Sequence, residues 1–394
     1  MEKVYSIRDF DDNLLVIDYP YPPKFKESYK FTINFIRIME SITENLYIIS
    51  GNVSEKMIAD KTHLHYVNIY PHLLSELKPL WVSKFVWTIK TLIIQLEICF
   101  GIIKFYKKSE IIIFFMMHPF TEVIPMMFAK VLKKKVLKVP FGLSPKEIIY
   151  AGYLFHLVEG FVLDLADYYI PEYETVASEI IKNDNLKHPS KLLSSAHFFI
   201  LEDNFKIESK IESREKIIGY IGGFRKIKGI MNFLKALPTI LDEIEDVKIY
   251  VIGDGILKGE VQRLIKQYNT ERVILCDWIP HNKLPNILNK LKLIVIPSYS
   301  EGVPNIAIEA MACGTPVLST CVGVIPLLIH QNDAGFILKD NSPSSISKEI
   351  IEIMSYDDDF LQDTVEKARQ VIERDYLLNS TTKRWEKIFD FVRD

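Results

Sequence analysis

Glu110-Ile111-Ile112-Ile113-Phe114-Phe115-Met116-Met117 is an apolar run behind a single acid. A strand of this composition has no face to turn to water, and strands buried on both faces belong to parallel sheets covered by helices. Similar runs recur. Leu14 to Pro20, Leu46 to Ser50, His65 to Tyr70, Val136 to Val139 and Tyr168 to Pro171 read as further strands; Phe31 to Ser41 and Trp81 to Tyr106 read as helices between them. Strands alternating with helices predict a doubly wound α/β sheet. A chain of 394 residues exceeds one compact core, so two domains are expected. The pattern weakens over Phe198 to Glu215, a charged stretch that reads as a linker, and the strand Ile217 to Ile221 then opens a second α/β unit. The expected domains are residues 1–205 and 206–377.

The richest segment for chemistry is Ser300 to Val317, in which Glu301 and Glu309 stand eight positions apart. The strand Leu291 to Pro297 precedes it, and Gly302-Val303-Pro304-Asn305 opens a helix. Pro304 suits a first helical position and Gly314 suits a helix end. Glu301 therefore lies at the carboxyl end of a strand, where open α/β sheets bind ligands. The N–H groups of the turn and helix start form an anion site. A phosphate flanked by carboxylates that accept sugar hydroxyls describes a nucleotide-sugar.

Other words stand around this segment. Gly253-Asp254-Gly255 follows the strand Val247 to Ile252; Asp277-Trp278-Ile279-Pro280-His281 lies further on; Gly222-Gly223-Phe224-Arg225-Lys226-Ile227-Lys228-Gly229 follows Ile221. Taken in chain order over residues 217–340, with the 222–229 loop first, they resemble the retaining nucleotide-sugar glycosyltransferases of family four. The resemblance implies the GT-B fold, two Rossmann-like doubly wound domains facing a central cleft, with a last helix (about 378–394) crossing back onto the first domain. It implies a donor-binding C-terminal domain and an acceptor-binding N-terminal domain.

It also implies roles. Glu309 would accept both ribose hydroxyls, Glu301 the hydroxyls of the donor sugar, and Lys228 the diphosphate charge. Gly222, Gly223, Gly253, Asp254, Trp278, Ile279, Gly302, Val303, Pro304 and Asn305 would line the donor, with the base read near Trp278 and Ile279. The sequence departs from the family in places. Gly223 stands where an arginine is usual, and Arg225 either reaches the same phosphates or is a surface residue. Tyr21 to Ser28 lacks the usual glycine pair, Val139-Pro140-Phe141-Gly142 lacks a frequent histidine, and Leu327 replaces an acid. His118, after the apolar strand, either bonds a sugar hydroxyl or is a satisfied histidine. No carboxylate pair for double displacement and no cluster of metal ligands stands out, so metal-independent transfer is expected.

The reading is thus a retaining hexosyltransferase-like enzyme of polysaccharide biosynthesis. Its substrate is a UDP- or GDP-linked sugar, it has no separate cofactor, and its acceptor is a glycan or lipid-linked. The alternatives are a sugar-nucleotide epimerase on the same fold and a catalytically idle relative that binds a nucleotide or a partner. A net charge of −3 gives no attraction to nucleic acid. Cys99, Cys276, Cys313 and Cys321 form no disulfide framework, and Met1 to Phe10 lacks the apolar core of a signal peptide, so a cytoplasmic location is expected. In Trp81 to Tyr106, Lys90, Glu97 and Lys104 recur every seventh residue, which predicts one polar stripe on an otherwise apolar helix, read as a buried crossover helix ahead of a membrane-surface helix. Residues 78–146 hold twelve lysines against Glu97, Glu110 and Glu122. That surplus reads as solvated lysines at helix ends or as a surface facing anionic lipid at the inner face of the cell membrane.

Overall fold

The structure, a computed structural model, describes residues 13–18, 26–51, 53, 55–67, 80–115, 117–139, 152–171, 192–193, 197 and 203–393. Contacts divide the chain into two compact units, residues 1–200 with 381–394, and residues 201–380.

The first unit opens with β1 (Leu14–Asp18), α1 (Lys26–Ile42), β2 (Leu46–Ser50) and β3 (Thr62–Tyr66). Then come α2 (Leu80–Phe105), β4 (Ile111–Phe115), α3 (Pro119–Val131), β5 (Lys135–Val139), α4 (Gly152–Leu165) and β6 (Tyr168–Tyr169). All pairings are parallel, in the order β3-β2-β1-β4-β5-β6. Every residue of β1, β2 and β4 is buried, as their composition demands. One face packs on α1, with Phe35 stacked on Phe115 at 4.1 Å; the other packs on α2, α3 and α4. β3 sits earlier than the expected 65–70: Leu46 to Ser50 pair with Thr62 to Tyr66. Residues 19–25 and 140–151, which include most of two loops read above as departures, lie outside the described residues.

The second unit repeats the pattern with β7 (Ile217–Ile221), α5 (Ile230–Glu243), β8 (Lys248–Ile252), α6 (Lys258–Gln267), β9 (Val273–Cys276) and α7 (Leu284–Leu288). It continues with β10 (Leu293–Ile296), α8 (Asn305–Ala312), β11 (Val317–Thr320), α9 (Ile325–Leu328), β12 (Phe336–Leu338), α10 (Pro343–Ser355) and α11 (Asp358–Asp375). Its parallel sheet runs β12-β11-β10-β7-β8-β9. In both sheets the strand order reverses beside the first strand, between β1 and β4 and between β7 and β10. At such a switch point the two flanking crossovers diverge and leave a crevice at the strands' carboxyl ends.

The charged stretch ahead of β7 is tightly anchored rather than loose. Arg214 is buried and donates to the carbonyls of Leu291 (3.0 Å), Cys313 (2.8 Å) and Ser209 (2.8 Å) and to Thr315 Oγ1 (3.0 Å). Burial lowers its pKa to about 10. The last helix, α12 (Leu378–Arg393), buries Trp385, Ile388, Phe389 and Val392 in the first unit's core. Trp385 meets Phe35 edge-on at 5.2 Å and donates to the His197 carbonyl at 3.1 Å. Phe391, which shares the helical spacing, is exposed; Val392 takes the inner position.

α2 departs from the sequence expectation. Its inner stripe (Ile94, Ile98, Ile102, Phe105) is buried against the sheet, but the outer face is apolar too: Ile89, Leu92, Ile93, Leu96, Phe100 and Ile103 are exposed. The helix is half-buried, and the charges at 90, 97 and 104 do not define its outer face.

Candidate functional site

The switch point of the second sheet gathers the loops after β7 and β10. The first runs from Gly222 through a 3-10 turn (Lys226–Lys228) to Gly229, which starts α5 at φ 69°. A Cβ at Gly229 would lie 1.9 Å from the Pro297 carbonyl oxygen, so only glycine lets the two loops approach this closely. The Tyr299 N–H donates to the Ile227 carbonyl at 2.8 Å and closes the seam.

Across that seam Lys228 Nζ donates to both carboxylate oxygens of Glu301, at 2.8 and 2.7 Å. Ser298 Oγ adds a bond to Glu301 Oε1 at 2.6 Å. A third loop supports the pair: at Gly323 (φ 59°) a Cβ would lie 2.5 Å from the Glu301 carbonyl oxygen. The Val324 N–H donates to the Gly302 carbonyl at 3.0 Å.

Tyr220, near the end of β7, props the first loop through its hydroxyl, which donates to the Gly223 carbonyl at 3.1 Å. Burial pushes this phenol's pKa up, the Glu301 charge pushes it further, and Arg225 opposes both. Arg225 is exposed, and its Nε lies 3.4 Å from where a Cβ on Gly223 would stand. The arginine at 225 thus packs beside the position that a side chain at 223 would take. Asp254 faces the same loop, its carbonyl accepting the Phe224 N–H at 2.8 Å and its carboxylate capping the Gly255 N–H at 2.7 Å. Gly222 and Gly253 continue the two strand ends through Gly222 N–H to Ile252 (3.0 Å) and Gly253 N–H to Cys276 (3.2 Å).

Glu309 lies on α8, buried despite its charge. Its Oε1 shares a hydrogen bond with His281 Nε2 at 2.6 Å, and the His281 ring packs on Phe205 at 5.0 Å. His281 belongs to the loop after β9 that also holds Ile279 and the exposed Trp278. Sequence reasoning missed His281, Ser298 and Tyr220 as supports because their partners lie far along the chain or on loops whose approach no local pattern reports.

Gly302, Val303 and Pro304 form the turn into α8. The helix begins at Asn305, one residue after the expected start, because Pro304 has ψ 90° and serves as the N-cap. No side chain caps this end, and Asn305 Oδ1 is buried with no hydrogen-bond partner. Uncapped N–H groups at a helix start attract anions. Arg214 holds the other end of α8 through the Cys313 carbonyl.

His118 lies in the first unit, at the N-terminus of α3, with its carbonyl accepting the Thr121 N–H at 2.8 Å and its ring 5.6 Å from Phe120. The turn is fixed by a buried ion pair: Lys138 Nζ binds both Glu122 oxygens at 2.6 Å and the Met117 carbonyl at 3.1 Å. Among the described residues no group of three or more His, Cys, Asp or Glu side chains is placed to hold a metal ion.

Residues 202–371 match the family model for glycosyl transferases group 1, and this stretch contains all the loops of the second unit just described. The second unit is thus similar to the group 1 glycosyltransferases. It is 27% identical over 226 residues to the N-acetyl-alpha-D-glucosaminyl L-malate synthase of Bacillus anthracis, a match covering 55% of this chain and 58% of that one. A D-inositol 3-phosphate glycosyltransferase of Corynebacterium jeikeium is 27% identical over 161 residues, 38% of each chain. The match thus spans about half or less of these curated relatives. Among solved structures, a glycosyltransferase from Rickettsia africae superimposes with a TM-score of 0.70 at 15% identity, covering 98% of this chain and 99% of that one. Anabaena Alr3699/HepE in complex with UDP and glucose gives 0.67 at 12% identity, covering 95% and 99%. The fold of this chain is GT-B, built from two parallel six-stranded α/β sheets.

Proposed function

We propose that this protein is a glycosyltransferase that transfers a sugar from a nucleotide diphosphate donor with retention of configuration, and that the loops at the second switch point hold the donor. The observation that carries the reading is the Lys228–Glu301 pair, a cation and a carboxylate from two loops clasped at the carboxyl ends of β7 and β10. The ammonium suits a departing diphosphate, and the carboxylate suits the hydroxyls of the sugar being transferred. Glu309, eight residues on and steadied by His281, suits a ribose diol. Arg225 suits the phosphates from the outer side of the loop, because a guanidinium offers a planar two-pronged contact that an ammonium lacks.

The reaction breaks the bond from the anomeric carbon to the diphosphate oxygen and forms one to the acceptor oxygen on the same face. The acceptor's proton passes to the leaving phosphate. Lys228 and Arg225 lower the barrier by stabilising the charge that builds on that phosphate. The acceptor is a glycan or a lipid-linked sugar, bound on the first unit, where His118 at the end of β4 is a candidate hydrogen-bond donor. A uridine nucleotide is the first donor to test, since Alr3699/HepE carries UDP on the same fold. Nucleotide release from UDP- and GDP-linked sugars tests the proposal. The wild-type chain is expected to release nucleotide from one of these classes, and Lys228→Ala to lower the rate by about 10²–10³-fold. Full activity in a folded Lys228→Ala chain would overturn it.

A further inference from the structure

The amino ends of the first sheet, opposite the crevice at its carboxyl ends, carry a groove that the donor chemistry does not use. It lies beside the start of β3, the outermost strand, where the turn ahead of β3 meets the end of α2. Its volume is about 450 Å³. We propose that this groove binds a sugar phosphate.

A row of rings builds one wall. His63 on β3 stacks on Tyr47 of β2 at 5.0 Å, and Tyr47 meets Phe105, the last residue of α2, at 5.0 Å. Two ammonium groups rest on this row. Lys108 Nζ lies 5.6 Å from the centroid of the Tyr47 ring, and Lys104 Nζ lies 5.0 Å from that of Phe105. Both lysines and His63 are exposed and line the groove. The turn on the other side is pinned by Glu40 of α1, whose Oε1 accepts the Ala59 N–H at 2.8 Å and the Thr62 hydroxyl at 2.6 Å. That carboxylate is committed to the wall.

Charge and size select the ligand. Among the described residues neither Lys104 nor Lys108 is paired with a carboxylate. Each rests on an aromatic face, a contact worth only about 0.5–1 kcal/mol at an exposed site. A phosphate held between the two ammonium groups gains charge-assisted hydrogen bonds that the rings cannot offer. Asp60 is the one acid among the residues that line the groove. A carboxylate there repels a bare anion but accepts the hydroxyls of a sugar. The His63 imidazole offers a further polar contact, and Leu64 with Phe105 supplies an apolar patch for the C–H face of a sugar ring. A bare phosphate ion would leave most of the groove empty, whereas a space of this size suits a small organic ligand.

Calorimetric titration of glucose 1-phosphate, inorganic phosphate and glucose into the full chain tests the proposal. Glucose 1-phosphate is expected to bind more tightly than inorganic phosphate, and glucose not measurably. Lys104→Gln with Lys108→Gln should weaken glucose 1-phosphate about a hundredfold, roughly tenfold for each charge-assisted bond lost. The unfolding temperature should stay unchanged, because both side chains are exposed. Asp60→Ala should remove the preference for glucose 1-phosphate over inorganic phosphate. Lys228→Ala, in the second unit, should change none of these affinities, which separates the groove from the proposed donor site. No binding of glucose 1-phosphate, or equal affinity for the two anions, would overturn the proposal. So would an affinity that falls in Lys228→Ala and is untouched in the double lysine variant.

Discussion

Lys228 and Glu301 are 73 residues apart in sequence and share two hydrogen bonds in the fold. On the proposed function, a diphosphate entering the β7 loop would compete with Glu301 for the ammonium. Glu301→Gln, which keeps the shape and removes the charge, is therefore expected to leave nucleotide affinity unweakened and to lower transfer by about 10²–10³-fold. Titration calorimetry beside a transfer assay checks this; parallel losses of affinity and rate would mean that Glu301 touches the nucleotide itself. Arg225 has its own test. Its guanidinium lies beside the Cβ position of residue 223, so Arg225→Ala should lower kcat/KM by about 10²–10³-fold and Gly223→Arg should partly restore it. An Arg225→Ala chain with wild-type kcat/KM would make Arg225 a surface residue. The type and order of the candidate site residues are legible in the sequence, because the turns that carry them need Gly and Pro at fixed places. Their pairing is not: no local pattern brings Lys228 onto Glu301 or His281 onto Glu309.

At the scale of elements, strands buried on both faces were the most legible, since β1, β2, β4 and β10 are nearly pure apolar runs. β3 lies earlier than its sequence predicts because its side chains (Thr62-His63-Leu64-His65-Tyr66) are mostly polar and its neighbour, not its own composition, sets its position. α2 differs from expectation for another reason. Apolar residues on both faces read as burial, whereas the fold covers one face alone. The stretch ahead of β7 looked like a linker because its charges dominate, yet Arg214 reaches into the protein and binds carbonyls from three segments. Arg214→Met should strand those buried acceptors and destabilise the second unit by about 3 kcal/mol, measured by urea unfolding. A midpoint equal to wild type would show that water replaces the guanidinium without cost.

The molecule comprises two units with the same strand order, and its C-terminal helix completes the core of the first. Trp385 is fully buried there, so Trp385→Ala should cost about 3–5 kcal/mol. Hydrogen exchange is expected to show the loss over α1 and α12, with the strands of the second unit still protected; uniform loss across both units would contradict this. The central claim is that the second unit's switch point holds a nucleotide through Glu309, and calorimetric titration of UDP and GDP into the wild-type chain and Glu309→Ala tests it most directly. One of the two nucleotides should bind the wild-type chain, and Glu309→Ala should weaken it by about 1.5–3 kcal/mol, the scale of charge-assisted hydrogen bonds to a diol. Equal affinity in a folded Glu309→Ala chain would contradict the account.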